Sequence, residues 1–461
     1  MAPAPLSLRV KLAYGVGELA GAIPVSLAAF FLLYFFTSVA GLSPAAAGSI
    51  LLLGRVWDAV NDPIIGWLSD RTSSPLGRRF PWMVYGAVPL ALCCVLLWVV
   101  PPIGSQGGLF LYYALLSLLI YVAFTAVQLP FAALAAELTD DYDERISLIG
   151  IKSGFSIGGS LVGLVLAQVI FGLVAQPQQQ YLMLGIISGV VAIGAIALSV
   201  WGTYRRYWEM EAFRQASQIP QSIPLAQQLQ SLVKNKAFRQ VLGLYLFAWM
   251  GIQVTAAMLP YFVDSWMKLP DTHFAQMALA VQGTGGLAMV GWNWLGQRTE
   301  KRTVFLAGAP IGVFCLLGLM TVHPGQIGWM YALAVGVGIG VSTLYLVPFA
   351  MLPDVIDLDE LHTGQRREGL YFSAVVFLQK LGLAIALFLS GQMLQWTGFV
   401  ATAQNQPNSA LWAIRLLIGP IPALLIAGSL WFAYRYPLSR ERHQETLLAL
   451  QERRNLVRDS S

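Results

Sequence analysis

Two carboxylates and an amide occur within about one helical turn of a strongly apolar segment, residues 44–67. Asp58, Asn61 and Asp62 stand at positions i, i+3 and i+4, so on a helix their side chains share one face. Asp70 follows Asp58 by about twelve residues, or roughly 18 Å of helix rise, which places Asp58 near the centre of a bilayer that the segment spans. An ionised carboxylate there costs on the order of 3 kcal/mol, and two on one face repel each other. The pair therefore predicts a cation held between the two acids.

The side chains of this face offer oxygen ligands, which suit a hard monovalent cation such as sodium. Thr125, in the fourth apolar segment, contributes a hydroxyl on an otherwise apolar face. Pro63, next to Asp62, is expected to bend the helix and free backbone carbonyls. Two other interpretations stay open. In the first, Arg55, about one turn before Asp58, forms a structural ion pair with it. In the second, the two carboxylates share a proton.

Three further charged residues within segments long enough to span a membrane need an explanation. Lys380, in the eleventh segment, lies too deep for its stem to reach the surface easily. Its predicted partner is the Asp58–Asp62 pair across the interface between two helical bundles, which it would neutralise when the cation is absent. A fixed structural bridge is the alternative. Glu18 is open to a structural or a functional role, and Arg415 is expected to extend its head group to the outer surface.

Composition excludes a soluble protein. The 461-residue chain is 57% apolar and 11% charged, whereas soluble domains carry about 25% charged residues. A mean hydropathy of +0.64 and 14 tryptophans agree with an all-α membrane protein. The net charge of +5 reflects basic loops and gives no indication of nucleic-acid binding. The three cysteines fall in apolar segments and are expected to be free thiols: Cys93, Cys94 and Cys315. The sequence shows no spacing of metal ligands and no nucleophile–base pattern that would indicate an enzyme.

Apolar segments of spanning length occur twelve times, which predicts twelve transmembrane helices. The segments are residues 12–37, 44–67, 81–100, 109–136, 148–175, 181–203, 239–263, 274–296, 303–322, 327–352, 370–397 and 411–436. The loops after the first, third, fifth, ninth and eleventh segments contain no Lys or Arg. The alternate loops are basic, and Arg145 and Lys152 are assigned to one of these basic loops. An even number of spans with this alternation places both termini in the cytoplasm.

The longest connection is polar, rich in glutamine and interrupted by Pro220 and Pro224, and it predicts a boundary between two halves. We predict an N-terminal six-helix bundle over residues 1–203 and a cytoplasmic linker over 204–238. They are followed by a C-terminal six-helix bundle over 239–436 and a cytoplasmic tail over 437–461.

Two acidic clusters stand at predicted cytoplasmic helix ends, one before the fifth segment and one after the tenth. We interpret them, with the basic loop after the second segment, as an inner gate whose ion pairs join the two halves and break when a carrier opens inward. A plainly solvated surface is the alternative. The predicted gate residues are Asp70, Arg71, Arg78, Asp143, Glu144, Arg145, Asp354 and Asp357.

Several stretches of the chain resemble known transport families. The pattern G-x-x-x-D-R followed by G-R-R, residues 66–79, resembles the signature between the second and third helices of the major facilitator superfamily. The stretches R-V-W-D-A-V-N-D-P-I-I-G-W (55–67) and G-Q-R-R-E-G-L-Y-F-S-A-V-V-F-L-Q-K (364–380) resemble the glycoside–pentoside–hexuronide:cation symporters, as do residues 136–145 and 351–361. This resemblance implies two helical bundles around a central cavity and alternating access by rocking of one bundle against the other.

The resemblance also implies residue roles. Asp58, Asn61, Asp62 and Thr125 match the family's sodium ligands, and Lys380 matches its helix-eleven lysine. We expect Lys380 and Arg55 to take part in coupling. The charged positions that hold a galactoside in this family correspond here to Ala22, Gln128 and Ser153, and its aromatic positions correspond to Ala132 and Tyr345. The resemblance therefore implies cation coupling and does not extend to galactoside recognition. The predicted substrate contacts are Gln128, Ser153, Tyr345, Gln379 and Ala22.

We therefore expect a secondary active symporter of a sugar or glycoside, coupled to sodium with a proton as the alternative ion. The family also resembles the animal sodium-dependent lysolipid carriers, and the largely apolar wall around Ala22 makes a lysolipid or other amphipath the alternative substrate. We expect no enzymatic activity and no cofactor beyond Na⁺ or H⁺. The expected partners are a small-molecule substrate, a monovalent cation and the lipid bilayer, with no nucleic acid. A monomer in the bacterial plasma membrane is expected.

Overall fold

The computed structural model describes residues 5–214, 235–364, 367–400, 403 and 405–459, and within these residues the secondary structure is helical throughout. The predicted all-α class is confirmed. The first half contains α1 (Leu8–Gly17), α2 (Leu19–Tyr34) with a π-helical turn at Phe35–Val39, α3 (Pro44–Arg71), α4 (Phe80–Leu97), α5 (Gln106–Leu138), α6 (Tyr142–Leu173) and α7 (Pro177–Arg214). Most of the predicted linker, residues 215–234, lies outside the described residues.

The second half follows the same plan of long helices. It contains α8 (Lys236–Tyr261) with a π-helical turn at Phe262–Trp266, α9 (Thr272–Arg298), α10 (Lys301–Thr321), α11 (Ile327–Thr363), α12 (Glu368–Trp396), α13 (Asn408–Ile418), α14 (Pro420–Tyr434) and α15 (Arg440–Asp459). Helices therefore occupy all twelve predicted segments, and α15 adds a helix within the predicted tail.

Ten helices in the described part of the chain are long and apolar enough to cross a membrane. The two predicted spans that fall short are α3 and α9. Their hydropathy is lowered by polar residues: α3 carries the acids Asp58, Asp62 and Asp70, and α9 carries glutamines. The count of twelve spans and the cytoplasmic position of the termini stay predictions.

The residue contacts divide the chain into two compact units. The first comprises residues 1–219, 256–279 and 387–413, and the second comprises 220–255, 280–386 and 414–461. The first unit thus includes the C-terminal ends of α8 and α12 and the start of α9, in addition to α1–α7.

Aromatic packing fixes the helices that carry the candidate site in the first unit. Tyr14 of α1 stacks on Phe131 of α5 with 4.8 Å between ring centroids, and Phe80 of α4 meets Tyr207 of α7 edge-on at 5.1 Å. All four rings are almost fully buried, so they lock α1, α4, α5 and α7 into one core. The helix α3 packs along α5, which brings its polar face against that core.

Glycine allows close backbone contact between α10 and α11 in the second unit. A Cβ atom on Gly340 of α11 would fall within the van der Waals radius of the Gly312 backbone of α10. Small residues at a helix crossing let membrane helices approach closely, where dispersion and Cα–H contacts hold them together. The Gly308–Thr343 contact one turn away continues the same interface.

The C-terminal helix α15 docks on the end of α11. His443 Nε2 lies 3.1 Å from Asp357 Oδ2 and 3.5 Å from Asp354 Oδ1, and Leu450 is buried. Lys301 at the start of α10 lies 2.8 Å from Asp354. The predicted tail, residues 437–461, therefore includes a helix held to the second unit by charged and apolar contacts.

The α10–α11 crossing yields a stability prediction. We expect Gly340→Ala to lower the midpoint of thermal unfolding in detergent, because overpacking at a backbone contact costs about 1–3 kcal/mol. Gly328→Ala, on the same helix with nothing within 4 Å of the added carbon, is the matched control and should leave the midpoint unchanged. Equal midpoints for the two variants would show that the crossing tolerates a methyl group.

Candidate functional site

The predicted acids lie on the buried face of α3. The start of this helix is fixed by Ser43, whose side chain accepts a backbone N–H of the first turn, and by Pro44 in that turn. Further along, Asp58 is 1% exposed, Asn61 is 4% exposed and Asp62 is half-buried. The contacts of this face therefore decide what the pair of acids can bind.

The Thr125 hydroxyl on α5 contacts both acids. Its Oγ1 lies 3.2 Å from Asp58 Oδ1 and 2.9 Å from Asp62 Oδ1. A hydroxyl carries one proton, so it donates to one carboxylate at a time. Asn61 donates through Nδ2 to the Tyr121 carbonyl oxygen at 3.3 Å. The structure thus brings the four residues predicted to bind a cation onto one α3–α5 contact.

Arg55 lies on the other side of Asp58. Its Nη1 is 3.9 Å from Asp58 Oδ2, at the outer limit of an ion pair, and its guanidinium carbon is 5.2 Å from the centroid of the Tyr121 ring. Gly54 permits this arrangement, since a Cβ there would lie 2.6 Å from the ring. Sequence reasoning missed Tyr121, although its position four residues before Thr125 places both on one face of α5.

The ligand chemistry of this cluster fits a hard cation. Asp58 and Asp62 supply carboxylate oxygens, Thr125 supplies a hydroxyl oxygen, and Asn61 keeps its carbonyl oxygen as an acceptor while its amide donates elsewhere. The same pair of carboxylates is also able to hold a proton.

Two of the predicted substrate positions in the first unit differ in their surroundings. Gln128 is half-buried and its Nε2 is buried without a hydrogen-bond partner, in a space that exists because residue 21 is glycine. Ser153 is exposed and its hydroxyl donates to the Ile149 carbonyl at 2.9 Å. Ala22 is buried beside this region. Gln128 therefore has an unused donor, whereas the Ser153 hydroxyl is already bonded to its own helix.

An ion pair between α1 and α6 was missed by the sequence analysis. Lys152 Nζ lies 3.6 Å from Glu18 Oε2 and 5.4 Å from the centroid of the Phe131 ring, and Ser156 also hydrogen-bonds Glu18. Assigning Lys152 to a basic connection was wrong, because α6 begins at Tyr142 and contains Lys152 well inside it. Glu18 separates α1 from α2, so the acid stands at a helix break. The sequence does carry a signal for this ion pair, because the first and fifth predicted spans contain side chains of opposite charge.

The remaining predicted coupling and substrate residues belong to the second unit. Lys380 and Gln379 lie on α12 and are half-buried, and Tyr345 on α11 packs edge-on against Trp249 with 5.7 Å between ring centroids. The predicted pairing of Lys380 with the α3 acids stays a prediction. Arg415, expected to extend to the surface, instead donates from Nε and Nη2 to the Met320 carbonyl at 3.0 and 2.6 Å, which caps the end of α10.

Arg79 is the centre of an ion-pair network after α3. Its side chain contacts Asp70 at 2.5 Å, Glu137 at 2.9 Å and the Ser69 hydroxyl at 2.7 Å. The predicted gate residue Arg78 lies 3.6 Å from the same Glu137. Asp70 and Arg78 are thus linked through two residues that the prediction did not include, Arg79 and Glu137.

The other predicted gate residues in the first unit, except Arg71, lie near the start of α6. Glu144 accepts from Leu6 N and from the Thr139 hydroxyl, Arg145 donates to the Thr139 carbonyl at 3.3 Å, and Asp143 is exposed in the first turn of α6. An acid there is favoured by the helix dipole.

Arg71 stacks on Trp67 with its guanidinium carbon 4.2 Å from the ring centroid. In the second unit, Asp354 and Asp357 contact Lys301 and His443 as described above. These partners lie within the same unit as the residues they contact, and ion pairs between the halves stay a prediction.

Comparison with known proteins gives matches along almost the whole chain. The family described as MFS/sugar transport protein matches residues 13–440. A protein named an uncharacterized symporter in Synechocystis is 37% identical over 97% of both chains. A putative glycoside/cation symporter of Escherichia coli is 28% identical, covering 95% of this chain and 93% of its own, and a sodium-dependent lysophosphatidylcholine symporter of Gallus gallus is 26% identical, covering 99% and 91%.

Solved structures support the fold. The nucleoside transporter NupG aligns over 93% of this chain and 99% of its own with a TM-score of 0.64 at 12% identity. At that identity the likeness concerns the fold alone. The expected major facilitator architecture and a multi-pass membrane protein are both confirmed.

The Arg79 network yields a second stability prediction. We expect Arg79→Gln to lower the free energy of unfolding by about 3–5 kcal/mol, because the buried Glu137 carboxylate loses its close partner. Arg205→Gln is the control: the Arg205 side chain is 93% exposed and pairs with Glu209 on the surface, so its loss costs about 0.5 kcal/mol or less. Thermal unfolding in detergent measures both, and an Arg79 variant as stable as the Arg205 variant would contradict the prediction.

Proposed function

Since this chain belongs to the MFS/sugar transport protein family, we propose that it is a symporter that couples a sodium gradient to the transport of a small organic substrate. The observation that carries the proposal is the Thr125 hydroxyl, which lies within hydrogen-bond distance of both Asp58 and Asp62. Two acids, one buried and one half-buried, that converge on one hydroxyl favour a positive charge between them, and their oxygens suit a hard cation. The bacterial plasma membrane is the proposed location.

Coupling requires a difference in sodium affinity between conformations. The ion has to bind the substrate-ready state better than the empty state, because a ligand shifts an equilibrium only by its differential affinity. In this proposal Lys380 neutralises the α3 acids when sodium is absent and is released when sodium binds. A proton shared by Asp58 and Asp62 is the alternative coupling ion.

The proposed substrate is a sugar or glycoside. Sugar recognition needs several convergent hydrogen-bond donors and acceptors. Glu18, Lys152 and Ser156 form such a polar set, and the buried Nε2 of Gln128 on α5 supplies a further donor. The Escherichia coli relative named as a putative glycoside/cation symporter supports this class.

A lysophospholipid is the second candidate substrate. Ala22 and Ile23 are buried apolar residues of α2, one turn beyond Glu18. An apolar wall next to a Glu18–Lys152 ion pair suits an acyl chain joined to a zwitterionic head group. The lysophosphatidylcholine symporter of Gallus gallus, similar over 99% of this chain, supports this class.

Uptake into proteoliposomes tests the function and separates the two substrates. A panel of radiolabelled sugars and glycosides is compared with labelled lysophosphatidylcholine under an inward gradient of sodium, potassium or protons. We expect accumulation of a sugar or glycoside with sodium and none with potassium. Accumulation of the lysolipid alone would select the second candidate, and uptake unaffected by any of the three gradients would contradict symport.

The cation site predicts a loss of sodium dependence in Asp62→Asn. Removing one unit charge about 4 Å from the ion weakens the electrostatic attraction by about 4 kcal/mol at an effective dielectric constant of about 20. The sodium concentration that gives half-maximal uptake therefore rises by about 100-fold or more. Glu209→Gln, which removes a carboxylate from an exposed ion pair on α7, should retain wild-type sodium dependence. An unchanged sodium activation curve in Asp62→Asn would remove Asp62 from the site.

The coupling role of Lys380 predicts that Lys380→Gln abolishes concentrative uptake under a sodium gradient. Facilitated exchange of substrate distinguishes uncoupling from loss of folding, since an uncoupled carrier still equilibrates its substrate. Lys236→Gln, which removes an exposed lysine at the start of α8, should accumulate substrate normally. Wild-type accumulation by the Lys380 variant would assign this lysine a structural role.

A further inference from the structure

Three arginines at helix ends of the second unit lie flat against aromatic rings. The guanidinium carbon is 3.9 Å from the ring centroid in the Arg298–Trp294 pair and 4.3 Å in the Arg435–Trp431 pair. In each of these pairs the two residues are four positions apart, Trp294 and Arg298 on α9, and Trp431 on α14 with Arg435 directly after it. The third pair joins two helices. We name the set the arginine–aromatic patch, with members Trp294, Arg298, Arg302, Trp431, Tyr434 and Arg435.

The third pair makes the patch continuous. The Arg302 guanidinium at the start of α10 lies 5.0 Å from the ring centroid of Tyr434, at the end of α14 and next to Arg435 in the chain. Arg298 precedes Arg302 by four residues. In addition, Arg440 donates to the Gln297 carbonyl at 3.4 Å, which ties the chain after α14 to the end of α9. The three guanidinium groups therefore lie at one end of the unit.

The rings of the patch are exposed although they are largely apolar. Trp294 is 54% exposed, Trp431 is 49% and Tyr434 is 66%. Trp and Tyr at the ends of membrane helices lie at the level of the lipid head groups, where one edge of the ring is apolar and the other is polar. A guanidinium stacked on such a ring keeps its N–H edges for other partners, and those donors match phosphate oxygens in a bidentate manner.

The charge of the patch favours an anionic ligand. The three guanidinium groups have one carboxylate close to them in the sequence, that of the exposed Glu300 before α10, while Lys301 is engaged by Asp354. The patch therefore keeps an excess of positive charge. By contrast, Arg205 on α7 has its charge balanced by Glu209.

We propose that the arginine–aromatic patch binds the phosphate head group of an anionic phospholipid from the leaflet at this end of the helices. The guanidinium edges bind the phosphate, and the exposed rings contact the glycerol and upper acyl region. Such a lipid joins the ends of α9, α10 and α14, the helices that carry the three arginines. It is a resident of the bilayer, and all the residues proposed to bind it belong to the second unit.

Native mass spectrometry of the delipidated protein in detergent tests this site. Phosphatidylglycerol and phosphatidylcholine are titrated separately, and the fraction of protein with bound lipid is measured. We expect phosphatidylglycerol to bind at least about tenfold more tightly, because each basic residue near an anionic head group contributes about a fivefold gain in affinity. The R298Q/R302Q/R435Q variant should lose this preference, whereas R205Q, with one exposed charge removed, should keep it.

The single variant R435Q separates loss of the lipid site from loss of folding. Arg435 is exposed, so this change leaves the fold intact and should weaken phosphatidylglycerol binding by about fivefold. Equal phosphatidylglycerol preference in wild type and in either patch variant would overturn the proposal. Inorganic phosphate that stabilises the protein against heat as much as the lipid does would also overturn it, because the patch would then be a site for free anions.

Discussion

The buried carboxylate of Asp58 and the half-buried carboxylate of Asp62 converge on one hydroxyl, that of Thr125. Thr125 has a single proton to donate, so at any moment one of the two acids lacks that hydrogen bond. Arg55 lies 3.9 Å from the second oxygen of Asp58, at the limit of a useful ion pair. In the proposed mechanism a sodium ion adds a mobile positive charge at the two carboxylates, and its binding and release provide the coupling to transport.

The scaffold holds that polar face in place by apolar and glycine contacts. In the first unit the buried rings of Tyr14 and Phe131 fix α1 on α5, and α3 rests on the same α5 through the Gly54–Tyr121 contact. Charged residues are concentrated at helix ends, where Arg79 holds Glu137 and stabilises the turn after α3. The helices that carry the acids are therefore held by apolar contacts, and the ion pairs lie at the helix ends, where the predicted inner gate was placed.

The sequence predicted the all-helical membrane class and the α3–α5 cluster because both depend on local signals. Long apolar segments identify helices, and the spacing of Asp58, Asn61 and Asp62 defines a face without knowledge of the fold. The Glu18–Lys152 and Arg79–Glu137 pairs join residues far apart in the chain, and helical spacing carries no information about such contacts. The segments 44–67 and 274–296 were predicted as spans from their own apolar length, although α3 and α9 are not among the ten helices in the described part of the chain that are long and apolar enough to cross a membrane.

Calorimetric titration of sodium into the purified protein, without substrate, tests the central claim most directly. We expect a saturable heat of sodium binding in the native protein that potassium does not reproduce and that Asp58→Asn/Asp62→Asn abolishes, with the double variant still folded by circular dichroism. Identical sodium heats in the native protein and the double variant would contradict it, because the ion would then bind without the two acids. A native protein that binds neither sodium nor a proton at this pair would contradict it equally.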